Sequence, residues 1–92
     1  MTKGLVLARN KDAYKEYLRL NGLSEFQYSY VKGWYDIVGH RNVKVILLDD
    51  YYTNPIYKMD LAGTIQMYQN NGMVNVVHDT IENNKEEDVQ HG

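Results

Sequence analysis

The sequence predicts an α/β domain in which four parallel strands, in the order 2-1-3-4, are accompanied by two helices. Three observations point there. Apolar runs alternate with segments of helical periodicity in the order β-α-β-turn-β-α-β, and strands separated by helices are joined by right-handed parallel crossovers. Two runs, residues 4–8 and 43–48, are almost continuously apolar, as strands covered on both faces are. A third, residues 26–31, alternates and so keeps a polar face, which marks a sheet edge.

The elements follow in chain order. Gly4-Leu5-Val6-Leu7-Ala8 is too brief for a helix and reads as a central strand. Asn10 can cap the helix after it, with Asp12 near the positive end of its dipole. Ala13, Tyr14, Tyr17 and Leu18 form the apolar stripe, while Lys11, Lys15, Glu16 and Arg19 face water. Gly22 ends this helix in a left-handed conformation, and Leu23 folds back on it. In Phe26-Gln27-Tyr28-Ser29-Tyr30-Val31 the three aromatic rings share one face of the second strand. Residues 33–42 are too short for a crossover helix, but Trp34, Ile37 and Val38 suit a single turn packed on the sheet and ended by Gly39.

Val43-Lys44-Val45-Ile46-Leu47-Leu48, largely β-branched, is the strongest strand and stops at Asp49-Asp50. Pro55, after the turn Tyr51-Tyr52-Thr53-Asn54, can open a helix. Leu61, Ala62, Ile65 and Tyr68 then recur at helical spacing, predicting a helix over 56–70 that Asn70-Asn71-Gly72 stops. Residues 73–77 form the last strand. One polar-faced edge beside two buried strands sets the order 2-1-3-4, a reduced Rossmann-like or flavodoxin-like sheet. Two helices are expected to leave one face thinly covered, by the Trp34 turn alone, and that tyrosine-rich face is expected to receive a homodimer or partner contact.

Composition narrows the function. A chain of 92 residues fits one domain with a small core. Its lack of cysteine excludes disulfides, cysteine-based zinc and iron–sulfur sites and thiol catalysis. His40, His78 and His91 form no spaced cluster, so neither a metal nor a cofactor is expected. No apolar run is long enough to span a bilayer and no signal peptide opens the chain, so the expectation is cytoplasmic. Residues 79–92 hold five carboxylates against Lys85, a charge of −4, leaving +2 on residues 1–78. The expected organisation is a single domain over 1–78 with a disordered acidic tail over 79–92. A body of +2 is too weakly basic for a dedicated duplex-DNA binder.

In open parallel sheets, ligands bind beyond the carboxyl ends of the strands where strand order reverses. Here that point lies between the first and third strands, so Arg9 and Asn10 should meet Asp49, Asp50, Tyr51 and Tyr52 on one rim. Such a rim suits a polar ligand or a charged side chain of a partner. The plainer expectation is that Arg9 pairs with Asp49 or Asp50 and merely closes the sheet. Neither GxGxxG nor GxxxxGK[ST] follows the first strand, so the usual dinucleotide and P-loop modes are not expected. Asp49 and Asp50 point to opposite faces as neighbours on a strand, which argues against a two-metal site, and no triad can be assembled.

Nine tyrosines are many for this length. Tyr14, Tyr17 and Tyr68 belong to helix core faces, whereas Trp34, Tyr35 and Tyr57 form a candidate aromatic interface beside the Tyr51-Tyr52 pair. With Lys32, Arg41, Lys44 and Lys58 nearby, single-stranded nucleic acid is a conceivable but not favoured partner.

The runs Val6-Leu7-Ala8-Arg9-Asn10, Tyr17-Leu18, Asn21-Gly22-Leu23, Tyr30-Val31, Gly39, Asn42-Val43-Lys44-Val45 and Tyr51-Tyr52-Thr53-Asn54-Pro55 form a loose pattern. It resembles small Rossmann-like proteins of unassigned function encoded by tailed bacteriophages. The resemblance spans about 70 residues, carries no catalytic signature and leaves out the acidic tail. It implies a fold, a viral origin and, with it, the host cytoplasm. Small phage proteins commonly bind and redirect a host or phage protein. The expected function is therefore non-enzymatic protein binding. The alternatives are a small-molecule or nucleotide site in the strand-end crevice and a single-stranded nucleic-acid surface.

Overall fold

The structure is a computed structural model that describes residues 2–81. Four strands, β1 (Gly4–Leu7), β2 (Tyr28–Tyr30), β3 (Val43–Leu47) and β4 (Val74–His78), form one sheet in the order β2-β1-β3-β4, every pair parallel. Helix α1 (Lys11–Asn21) joins β1 to β2, and α2 (Met59–Asn70) joins β3 to β4. One crossover moves outward from β1 and the other outward from β3 in the opposite direction. Right-handedness therefore sends the two helices to opposite faces.

Each face has its own core. On the α1 side, Val6, Ala8, Ile46 and Leu48 pack under Ala13, Tyr14, Tyr17 and Leu18. On the α2 side, Leu5, Leu7, Val45 and Leu47 meet Leu61 and Ile65, with Val31 and Ile37 filling the flank that the short helix leaves open. The sequence expectation of a face covered by the Trp34 turn alone is thus corrected. The turn Trp34–Asp36 does pack on the sheet, but the residue that it buries is Ile37, and Trp34 stays 46% exposed.

Both predicted ends of α1 are observed. Asn10 is extended, and its side chain accepts the Ala13 N–H at 2.8 Å. Gly22 sits at φ 64°, while the Leu23 N–H reaches the Leu18 carbonyl at 2.9 Å, closing a Schellman motif.

Two boundaries differ from the sequence reading. Gln27 and Tyr28 both donate to the Ser24 carbonyl, so Phe26 lies in a turn, 91% exposed, and β2 starts only at Tyr28. Similarly, the Asn54 side chain and carbonyl accept the N–H groups of Ile56 and Tyr57. Pro55 therefore belongs to a turn, and α2 begins at Met59 instead of 56.

The folded unit also runs past residue 78. The Asp79 N–H continues the ladder to the Leu47 carbonyl, and Ile81 is buried against the α1-side core. Burial of Ile81 acts with the hydrogen bonds of Asp79 and of the Ile81 N–H to offset the chain entropy of ordering these residues. The rest of the expected acidic tail, residues 82–92, lies outside the described residues. Replacing Ile81 with Ala should lower unfolding free energy by about 2–4 kcal/mol, measured by denaturant titration of the full chain. A change below about 0.5 kcal/mol would show that the domain ends at 78.

Candidate functional site

The site is built at the carboxyl end of the sheet, where β1 and β3 lie side by side. Their register pairs Leu7 with Leu47, and the Leu48 N–H donates to the Leu7 carbonyl at 3.0 Å. This alignment brings the residues that leave the two strands to one edge. Arg9, Asn10 and Asp49 line a cleft of about 730 Å³ on the α1 side, whose far wall is Thr80 and Ile81. Asp50, Tyr51 and Tyr52 instead line a shallower depression of about 280 Å³ that shares Asp49 and Thr80 with the first. The expected rim thus exists as two adjoining hollows, with Asp49 on the ridge between them.

Charge in the main cleft is unbalanced. Asp12, Glu16 and Asp49 line it with Arg9 as the cation. Glu16 is held by Arg19 at 2.7 Å, the ion pair among the described residues. The expected pairing of Arg9 with Asp49 or Asp50 is therefore absent. Asp49 instead accepts the Ile81 N–H at 3.3 Å, which ties the strap 79–81 to the end of β3. Arg9 is left exposed, with its guanidinium available to something outside the fold.

The strap has a second anchor. Tyr17 donates its hydroxyl to Asp79 at 2.8 Å, and the same carboxylate accepts the Thr80 N–H. Burial first, then the bond to Asp79 and its negative charge, push the Tyr17 hydroxyl well above the usual phenol range. It remains a proton donor throughout neutral pH and is no base. The Thr80 hydroxyl oxygen is buried between the two hollows and has no partner among the described residues.

On the α2 side the crevice is already occupied. Asn54 is 5% exposed and donates to the Ala8 carbonyl at 2.8 Å and to the Tyr30 hydroxyl at 3.0 Å. A side-chain amide thereby satisfies the carbonyl just past the end of β1. Before it, Asp50 takes a left-handed conformation at φ 61°, which aspartate tolerates, and its carbonyl accepts both the N–H and hydroxyl of Thr53. Tyr51 is the centre of an aromatic cluster, edge-on to Tyr52 at 5.5 Å and to Tyr57 at 5.1 Å, with His78 at 6.1 Å.

The candidate aromatic interface is only partly assembled. Trp34 and Tyr35 meet edge to face at 6.1 Å, and both are exposed. Tyr57 does not join them, because it packs on Tyr51 at the strand-end rim and is partly buried against the α2-side core. Three residues that shape the site went unread in the sequence: Asn54, Asp79 and Thr80. An Asn-Pro pair marks a turn, but nothing local marks a buried amide. Among the described residues, no group of three His, Cys, Asp or Glu is placed to hold a metal, and no helix is long and apolar enough to cross a membrane.

The chain matches no known family model, and no curated protein or solved structure is significantly similar to it.

Two outcomes test this geometry. Asn54→Ala should cost about 2–3 kcal/mol, because it strands the Ala8 carbonyl and the Tyr30 hydroxyl, and chemical denaturation measures it. Alkaline stability should also fall. Above about pH 10 the unfolded tyrosines lose protons that folded Tyr17 retains, so the unfolded state binds fewer protons and gains favour; below that pH the contribution is fully present. Tyr17→Phe should therefore narrow the drop in Tm between about pH 9 and pH 11. Part of the drop will persist, because burial also raises Tyr14 and Tyr57.

Proposed function

We propose that the protein is a non-enzymatic binding module, phage-encoded as its sequence resemblance implies, that engages a protein partner at the carboxyl-end rim of its sheet. The observation that carries this reading is exposed Arg9, without an ion-pair partner among the described residues, facing a carboxylate-lined cleft, with Tyr52 61% exposed on the adjoining hollow. Charged groups left uncompensated beside a projecting aromatic are what protein interfaces pair and bury. The balance of charge also sets the chemistry of the partner. With Glu16 engaged by Arg19, Asp12 and Asp49 beside one guanidinium favour a segment that carries both lysine or arginine and a carboxylate for Arg9.

The same features weigh against phosphate-bearing ligands. Carboxylates repel a nucleotide or a nucleic-acid backbone, and the Asn54 amide occupies the carbonyl end that a nucleotide would approach. Protein binding is therefore preferred to the crevice ligand and to single-stranded nucleic acid.

Capture of partners from host lysate with the tagged full chain tests the proposal. Arg9→Ala and Tyr52→Ala should each weaken binding about 5–30-fold, corresponding to about 1–2 kcal/mol per anchor, without changing Tm. Unchanged recovery with both variants would reject this rim. A thermal-shift response to a nucleotide panel, or a gel shift of single-stranded DNA at low salt, would instead favour one of the other readings.

A further inference from the structure

We propose that two copies of the chain associate through the outer edge of β4, paired antiparallel to β4 of the second copy across a two-fold axis at Val76. The two edges of the sheet differ in how their backbone is used. Because Val31 donates to the Val6 carbonyl, alternation along β2 turns the backbone of Tyr28 and Tyr30 outward. At Tyr28 those outward groups are consumed: its N–H goes to Ser24, and its carbonyl accepts the Tyr14 hydroxyl. With three residues and its first outward pair taken up, β2 offers a new strand little to pair with.

At the other edge, the Asp79 N–H bonds Leu47, so Val77 and Asn75 face β3 and the N–H and carbonyl groups of Val74, Val76 and His78 face away. The strand Val-Asn-Val-Val-His carries none of the lysine, glutamate, proline or glycine devices that keep a natural edge unpaired. Its outward set is symmetric about Val76. A second copy laid antiparallel sets Val76 against Val76 and Val74 against His78, so every outward donor finds an acceptor.

Charge selects the second copy and its direction. Exposed Arg41 and Lys44 stand where β3 and β4 begin, whereas Asp49, Asp50 and Asp79 stand where they end. Antiparallel pairing places each acidic end beside the basic end of the other copy, whereas parallel addition would oppose like charges. The contact leaves Arg9 and the cleft on the α1 side open, so it is compatible with the rim binding proposed above and does not depend on it.

Sedimentation of the full chain over a range of concentrations tests the pairing. The expected result is a monomer–dimer equilibrium, concentration-dependent because a five-residue ladder is a small contact. Val76→Pro removes an outward N–H while sparing the bonds to β3, and should raise the dimer dissociation constant at least about tenfold. Arg41→Glu with Lys44→Glu, both exposed, should weaken the dimer several-fold at low salt with the fold intact by circular dichroism; this pair decides the matter if the proline variant unfolds. A wild type that stays monomeric throughout, one that stays monomeric but adds an extended peptide at β4, or a dimer untouched by these substitutions overturns the proposal.

Discussion

Pairing of β1 with β3 in parallel, residue 7 beside residue 47, is the constraint on which the rest of this molecule depends. It makes the two most apolar segments neighbours at the centre of the sheet, where both faces are covered. It also forces the crossovers to leave in opposite directions, so that α1 and α2 occupy different faces. The carboxyl ends of two adjacent strands are then left without a helix lying across them. The rim proposed to hold a partner sits in that gap.

The gap is asymmetric, and the asymmetry shapes the chemistry. On the α2 side, a buried amide from Asn54 takes up the Ala8 carbonyl and the Tyr30 hydroxyl, while Tyr51 and Tyr57 meet edge-on beside it. A buried carbonyl without a partner costs more than an ordinary hydrogen bond contributes, which explains why a polar side chain lies inside an otherwise apolar layer. On the α1 side no described residue plugs the opening in this way. Instead the strap 79–81 forms one wall, fastened by Asp49 and Tyr17, and the opening stays polar and acidic. The strand ends are thus filled around Asn54 and open around Arg9.

The edges of the sheet show the same division between covered and uncovered backbone. Tyr14 serves twice, as a core ring against Tyr30 and as the hydroxyl that occupies the β2 edge. Among the described residues no side chain hydrogen-bonds the outward backbone of Val74, Val76 or His78 in β4. The polarity of charge along β3 and β4 follows from strand direction alone, since a parallel sheet gathers all strand starts at one end and all strand ends at the other.

Periodicity and apolar content were enough to place the strands, both helices, the Asn10 and Gly22 caps, the sheet order and the meeting of Arg9 with Asp49, because each depends on residues close in sequence or on rules of crossover handedness. Boundaries set by turns were not legible. Ser24 captures two N–H groups that the Phe26 alternation would assign to a strand, and Asn54 draws Ile56 and Tyr57 out of the helix. The status of Arg9 as an unpaired cation, the separation of Tyr57 from Trp34, and the burial of Ile81 were decided only in three dimensions. Each depends on which groups from distant parts of the chain compete for the same space or the same proton. Local pattern names the candidates, but packing and hydrogen-bond satisfaction choose among them.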